Sequence, residues 1–382
     1  MAATESRSTE PWTQHGAIVA AACALPGVAL AQGAPTEGLI ALKYLHYKDS
    51  QPSLDRVTVR SPSLYALLPV GANWSVEGAF VVDDTSGATP RYHSSVSSAS
   101  RHDDRRTAGD LKVTRYFRRT AVGLGVAHST EDDYRSNAVS TDVRVASEDN
   151  NTTVAFGAGY TDDEINPTER PVRDERKRVV EALIGITQVL SSDDIVKLNV
   201  THSRGRGFFT DPYKEPDRRP RERDTTAVLL AHNHHFSATD GTLRSSYRWY
   251  NDTFEVKAYT LGFEYVQPLG SGFSVMPALR YHTQSAAFFY YDPVYDPVLG
   301  EPFPPGFQSN PNRFLSGDHR LSAFGAFTAG LKVAQQFARD WTVDLRYDYY
   351  EQRGEWRAGG KGSTGLEPFR AHFVQAGIAK RF

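Results

Sequence analysis

The chain has 382 residues, with 43 Lys and Arg against 45 Asp and Glu, and a pI near 6.6. That balance leaves no basic excess of the kind a nucleic-acid-binding surface needs, and no stretch approaches the ~18 apolar residues of a membrane-spanning helix. A mean hydropathy of -0.47 suits a water-soluble protein, but a transmembrane β-barrel passes the same test, because only alternate residues of its strands face lipid.

The N-terminus reads as an export signal. Residues 17–30, AIVAAACALPGVAL, form an apolar run of signal-peptide length, followed by the small-residue cleavage pattern Ala29-Leu30-Ala31 before Gln32. Arg7 is the only Arg or Lys ahead of the run, opposed by Glu5 and Glu10. Cys23 is the only cysteine, and Ala20-Ala21-Ala22 before it lacks the leucine usual at a lipoprotein site. Cleavage after Ala31 leaves a mature domain, 32–382, without cysteine. That excludes disulfides, thiolate catalysis and cysteine-held haem or iron–sulfur clusters there. Only a few residues, 32–38, precede the first expected strand, so no N-terminal plug domain is expected. Aromatic residues make up 12% of the chain, with 19 Tyr and 20 Phe against 2 Met, a composition that fits an exported β-protein.

Beyond Gly38 one theme repeats. IVKLNVTH (195–202) sets Val196, Leu198 and Val200 against Lys197, Asn199 and Thr201. TLRSSYRWY (242–250), YTLGFEY (259–265) and WTVDLRYDYY (341–350) alternate apolar and polar residues in the same way. This period of two marks strands with one apolar face. A soluble sandwich shows it too, so the connections decide. Short ones fall at 70–74, 117–120, 147–151, 191–194, 237–241, 269–272 and 338–340. Generally longer polar segments fall between them, at 48–54, 84–103, 129–136, 162–176, 205–222, 251–256, 290–317 and 353–367. Tight turns on one rim and long loops on the other are the organisation of an outer-membrane barrel, with the tight turns periplasmic. The expected fold is therefore an all-β, antiparallel up-and-down transmembrane barrel. Its sixteen strands should begin near Leu39, Arg56, Trp74, Arg105, Ala121, Asn137, Thr152, Arg178, Asp194, Asp224, Thr242, Lys257, Phe273, His319, Trp341 and Phe369. Trp74, Phe117, Phe236, Phe273, Phe337, Trp341 and Phe382 gather beside the short turns, as an interfacial aromatic girdle would.

The chain ends QAGIAKRF (375–382). Gln375, Gly377 and Phe382 match the polar-x-Gly-x-x-apolar-x-Phe ending that the barrel-insertion machinery recognises, with Lys380 where an apolar residue is usual. Further, DRVTVRSPSLYALLPVGANWSVEGAFVVDDTSGATPRY (55–92), RRTAGDLKVTRYF (105–117) and ASEDNNTT (146–153) resemble a family of Gram-negative proteins known only as a domain of unknown function. The resemblance extends over nearly all of the mature chain. It implies an outer-membrane β-barrel and no activity.

Catalytic signatures are missing: no G-x-S-x-G, H-E-x-x-H or phosphate loop occurs. In HNHH (232–235), His232 and His234 share a face at metal-ligand spacing, but no Asp, Glu or further His is obviously placed beside them, so no metal or other cofactor is assigned. Asp132/Asp133 and Asp162/Asp163/Glu164 are taken as solvated loop charge that could bind Ca²⁺ weakly or bridge lipopolysaccharide through divalent ions. Glu77, Lys112, Asp142, Arg144, Glu181, Lys197, Arg244, Arg248, Glu264, Arg280, Asp344, Arg346 and Asp348 fall on the expected inner faces. In a dry core each would cost several kcal/mol, whereas a sixteen-strand barrel is wide enough to hold water. Arg244, Arg248, Glu264, Arg280, Asp344, Arg346 and Asp348 are the lumen charges expected to matter in a porin-like channel. The alternative is a scaffold or assembly component of the envelope with a lumen blocked by 290–317 or filled by a partner. Expected partners are outer-membrane lipid and lipopolysaccharide, the insertion machinery, and a second copy or another envelope protein.

Overall fold

A computed structural model describes residues 33–382 except 53, 89–100, 168–171, 215, 295, 300–302, 304 and 309. The expected signal peptide, 1–31, lies outside the described residues. Sixteen strands close into one antiparallel barrel in chain order. They are β1 (Leu39–Gln51), β2 (Leu54–Val70), β3 (Trp74–Ala88), β4 (Arg101–Tyr116), β5 (Thr120–Thr130), β6 (Tyr134–Ala146), β7 (Thr152–Ile165) and β8 (Glu175–Val189), then β9 (Asp194–Gly207), β10 (Glu222–Phe236), β11 (Gly241–Asp252), β12 (Lys257–Gly270), β13 (Phe273–Gln284), β14 (Phe324–Phe337), β15 (Trp341–Arg353) and β16 (Phe369–Arg381). A two-residue ladder, Asp217–Arg218 with Leu315–Ser316, joins two loops in a small sheet separate from the barrel sheet. Among the described residues no helix is long and apolar enough to cross a membrane.

Alternation decides which face each residue takes. On β1, Ile40, Leu42 and Tyr44 are exposed while Ala41, Tyr47 and Asp49 are buried. On β15, Val343, Leu345 and Tyr347 lie outside and Asp344, Arg346 and Asp348 inside. The outside is a belt of exposed apolar side chains around the whole wall, including Phe80, Leu124, Phe156, Ile184, Leu230, Phe263 and Leu331. Such a surface is stable only against lipid; in water, patches of this size associate.

Most expected strand starts agree with the structure within a few residues, with one correction. His319 does not begin a strand: His319–Leu321 is a 3₁₀ turn capped by Asp318, and β14 starts at Phe324. The apolar alternation does not resume until Phe324, and Asp318 with Arg320 belongs to the loop charge cluster described below. The loop asymmetry also needs correcting. The β1–β2 and β5–β6 connections, 52–53 and 131–133, are as tight as turns on the opposite rim. The strands simply run further: thirteen residues of β1 at ~3.4 Å each reach ~44 Å, or ~31 Å along the normal at a ~45° tilt, beyond the ~25 Å apolar band. Their outer ends carry polar pairs such as Lys48–Asp55 at 2.7 Å. For the same reason Asp162, Asp163 and Glu164 lie within β7 rather than in a loop. Asp162 and Glu164 face outward beside Arg178 and Arg176, and Asp163 faces inward, 3.0 Å from Lys177.

The barrel closes where the chain ends. β16 pairs with β1 from Leu39↔Arg381 to Ser50↔Arg370. One residue beyond, the Gly38 amide donates to the Phe382 carbonyl at 2.8 Å and the Phe382 amide to the Gly38 carbonyl at 3.1 Å. A Cβ on Gly38 would lie 2.6 Å from Cζ of Phe382, so the ring rests on a bare backbone. Gln375 and Gly377 face inward, Phe382 outward. Lys380 is held over the Trp341 ring at 5.3 Å, so its stem covers apolar surface at the rim as an aliphatic residue would. The short-turn girdle is exposed at Trp74, Phe117, Phe236, Phe273, Phe337 and Phe382, and Arg115 sits 5.1 Å over Trp74 and 4.9 Å over Phe117. Deleting Phe382 is expected to lower assembled barrel several-fold with little change in protein synthesised, read as the fast-migrating band on unboiled gels. Loss of the ring's burial alone is worth only ~1.5–3 kcal/mol, so unchanged assembly would show that the terminal ring is not used in insertion.

Candidate functional site: the lumen wall and its mouth

The inner wall carries two belts of paired charge, each built over glycine. On the N-terminal side Lys112 of β4 lies 3.9 Å from Glu77 of β3 and 2.6 Å from Asp142 of β6, and Arg144 lies 3.5 Å from Asp142. The Lys112–Asp142 pair crosses β5 above Gly123. A Cβ there would sit 2.3 Å from Asp142 Oδ1 and 2.6 Å from Lys112 Cε, so a larger residue would push the two charges apart.

On the C-terminal side Arg244 of β11 contacts Glu264 of β12 at 2.9 Å, and Arg346 of β15 contacts Asp348 at 2.6 Å and reaches Glu264 at 3.7 Å. Three inter-strand spacings of ~4.8 Å separate Arg346 from Glu264. The reach is possible because the register row Glu264↔Ala278↔Gly330↔Asp348 presents only a methyl and a hydrogen between the acids. A Cβ on Gly330 would fall 2.1 Å from Asp348 Oδ1. Arg244, Glu264, Arg346 and Asp348 thus form one connected group. Asp344 stands apart from it and pairs with Lys332 of β14 at 3.6 Å. Arg248 lies over the Tyr250 ring at 5.2 Å, and Arg280 faces inward in register with Gly262 and Thr328. Lys332 was not singled out in the sequence, although its place between Leu331 and Val333 in AGLKVAQQF puts it on the inner face. Gly377 has a local structural task as well: it sits between Lys43 and Asp344 in register, and a Cβ on it would lie 2.7 Å from Asp344 Oδ2.

The long-loop end is different. Inward-facing Tyr47, Val59, Phe324, Ala326, Tyr350, Phe369 and Ala371 form an apolar cluster inside the wall, and the His319 ring stacks on Phe369 at 5.8 Å. The β13–β14 loop (285–323) therefore folds into the mouth. It meets the β9–β10 loop (208–221) through the small ladder and through a buried charge cluster. Arg219 donates to Asp217 at 2.9 Å and to Asp318 at 2.8 Å, Arg320 donates to Asp318 at 2.9 Å and to Asp211 at 2.9 Å, and Lys214 lies 2.6 Å from Asp211. The β15–β16 loop joins through Ser363, whose hydroxyl accepts from the Ala323 amide at 2.9 Å. Phe254 of the β11–β12 turn packs with Phe289 and Leu321, and Tyr213 donates to Asp133 of the β5–β6 turn. Five connections are tied into one cap.

Asp318 is fully buried, which by itself would raise its pKa, but Arg320, Lys214 and Arg219 hold it well below the usual carboxylate range. Asp211 is lowered in the same way against its own burial, by Lys214 and Arg320. Burial wins at Asp217, whose pKa is raised. A carboxylate with a lowered folded pKa contributes stability above its unfolded value of ~4, and that contribution is lost as pH falls through the folded value. Asp217 works in the opposite sense and partly offsets the other two. The cap is therefore expected to hold from neutral pH to about pH 4 and to loosen below it, checked by pepsin cleavage within 208–221 and 285–323. Asp318→Asn should loosen the same loops at neutral pH, since breaking a buried ion pair costs about 3–5 kcal/mol. Faster tryptic cleavage there, with the folded-barrel band retained, is the expected result.

The known proteins place the fold. A bacterial polysaccharide outer-membrane secretin superposes with a TM-score of 0.50 at 9% identity, over 90% of this chain and 98% of its own. The siderophore receptor PirA from Pseudomonas aeruginosa gives 0.44 at 10% identity over 91% and 81%, and OpdK from Pseudomonas aeruginosa gives 0.43 at 9% over 91% and 98%. At 9% identity the likeness to the secretin is one of fold alone. No curated protein matches the sequence. A family model described as a protein of unknown function (DUF3570) matches residues 95–375, which include the 105–117 and 146–153 segments and leave 55–92 outside. Nearly the whole barrel from β4 to β16 lies in that match, and the chain belongs to this family of proteins of unknown function.

Proposed function

We propose that the protein is an outer-membrane channel for small charged solutes, with its tight turns periplasmic and its folded loop cap regulating the outer mouth. The observation that carries this reading is the contrast between the two faces of one wall. The outside is apolar around the circumference, while the inside holds interleaved, partnered charges at the level of the Arg244–Glu264–Arg346–Asp348 group. Charges of both signs around a watery path, backed by a low-dielectric wall, focus the field into the water and bias which ions pass. The insertion machinery would read Gln375, Gly377 and Phe382 on the closing strand. Lipopolysaccharide would meet the outward guanidinium groups of Arg176, Arg178, Arg204 and Arg206 on β8 and β9. A specific observation favours the scaffold alternative: the packed cap, which would make the barrel a closed support for another envelope component or a second copy.

Conductance separates the two readings. Replacing Arg244, Arg248 and Arg346 together by Ser leaves Glu264, Asp344 and Asp348 on the wall, so the reversal potential in a KCl gradient should move toward cation preference. The shift should shrink at molar salt, where the Debye length falls to ~3 Å. Asp318→Asn, by loosening the cap, should raise the open fraction without altering the selectivity. Absence of conductance from folded wild-type and Asp318→Asn protein alike would overturn the channel and favour the scaffold.

A further inference from the structure

On the outer surface at the short-turn rim, β9 and β10 bring together three metal-ligand side chains that are far apart in the sequence. His232 and His234 share the outward face of β10 with Leu230 and Phe236, and His234 is in register with Asp194, the first residue of β9. A single carboxylate oxygen, Asp194 Oδ1, lies 2.8 Å from His232 Nε2 and 2.8 Å from His234 Nδ1. The ligand atoms of the three all lie within 4.8 Å of one another. Asp194 is the partner that HNHH lacks in the sequence; only the β9–β10 register supplies it.

We propose that Asp194, His232 and His234 form a binding site for a divalent ion of the zinc class. Four features support it. Two imidazoles and one carboxylate are a donor set that zinc takes with a further position open to water. In tetrahedral coordination at ~2.0–2.1 Å, ligand atoms stand ~3.3 Å apart. The two 2.8 Å contacts of Asp194 would open by ~0.5 Å, and the two imidazole nitrogens, within 4.8 Å of each other, would adjust to the same spacing. The donors are oriented from outside the trio: the Ser191 hydroxyl donates to Asp194 Oδ2 at 3.0 Å, and the Phe236 ring meets the His234 ring edge-on at 4.5 Å. The site is reachable, with His232 and His234 side chains 44% and 36% exposed. Each imidazole would ligate through the nitrogen now facing Asp194 and carry a proton on the other, and the ion would take the place of the two hydrogen bonds. Bound there, zinc would staple β9 to β10 at headgroup depth, with its open position toward water or a phosphate oxygen. His202, the next outward histidine of β9, is eight residues up the strand, ~27 Å away, and takes no part.

The test uses untagged, detergent-folded protein titrated with zinc against a chromophoric chelator. One tightly held zinc per chain is expected in the wild type. Asp194→Asn should weaken it at least ~10-fold, and the His232→Gln/His234→Gln double variant should lose it. These exposed side chains can be changed without touching the inner wall, and the heat-modifiable band on unboiled gels verifies that each variant is folded. No zinc uptake by the wild type at micromolar concentration would overturn the proposal. So would equal stoichiometry and affinity in the folded double variant, which would leave the trio as a hydrogen-bonded strand contact only.

Discussion

Everything in this structure depends on one hydrogen-bonded seam, the pairing of the last strand with the first. A sheet whose edges stayed open in lipid would leave its edge amides and carbonyls without partners, at several kcal/mol each. Closure removes both edges at once. Here the seam extends through Gly38 and Phe382, so the final residue of the chain completes the ladder, and its ring lies on a glycine that leaves room for it. The even strand number places the start of β1 and the end of β16 together on the rim of tight turns. The long connections are left free to fold at the other end.

Closure also fixes what the inner wall can hold. Because each side chain's face is set by parity and its height by register, charges from strands two or three apart come within reach of one another across the curved surface. They do so only where the intervening residue is small. Gly123 under Lys112–Asp142 and Gly330 beside Asp348 are such places, and any Cβ there would collide with the carboxylate. The inner glycines are thus part of the electrostatic design, since they decide which charges come close enough to pair.

The cap follows a different logic. Its members come from five connections, and its central contact, Arg219 with Asp318, joins residues 99 apart in the sequence. Asp318 is inaccessible to water and is surrounded by cations that more than compensate for its burial. A network of this kind holds loops in one arrangement as long as its charge balance is kept. The apolar packing of Phe369, Phe324 and Tyr350 beneath it anchors the loop to the wall rather than leaving it to float above the opening.

The sequence by itself determined the barrel. Alternation along IVKLNVTH, YTLGFEY and WTVDLRYDYY gives each residue its face, and nearly every strand start was legible because an apolar outer face and a polar inner face impose a period of two on each strand. The inward position of Arg244, Glu264, Arg346 and Asp348 followed from the same parity, as did the closing role of QAGIAKRF. The strand ends above the membrane were less legible, since polar alternation such as that of Asp162–Glu164 looks the same in a hairpin and in a loop. His319 was misplaced because the 285–323 loop contains strand-like residues that serve the cap. Only the tertiary structure decided the partnerships: Arg346 with Glu264, Asp318 with Arg219 and Lys214, and Asp194 with His232 and His234. Parity is a local property that each strand carries in its own residues. Partnership depends on register, curvature and loop packing between segments tens of residues apart, and these exist only once the barrel has closed.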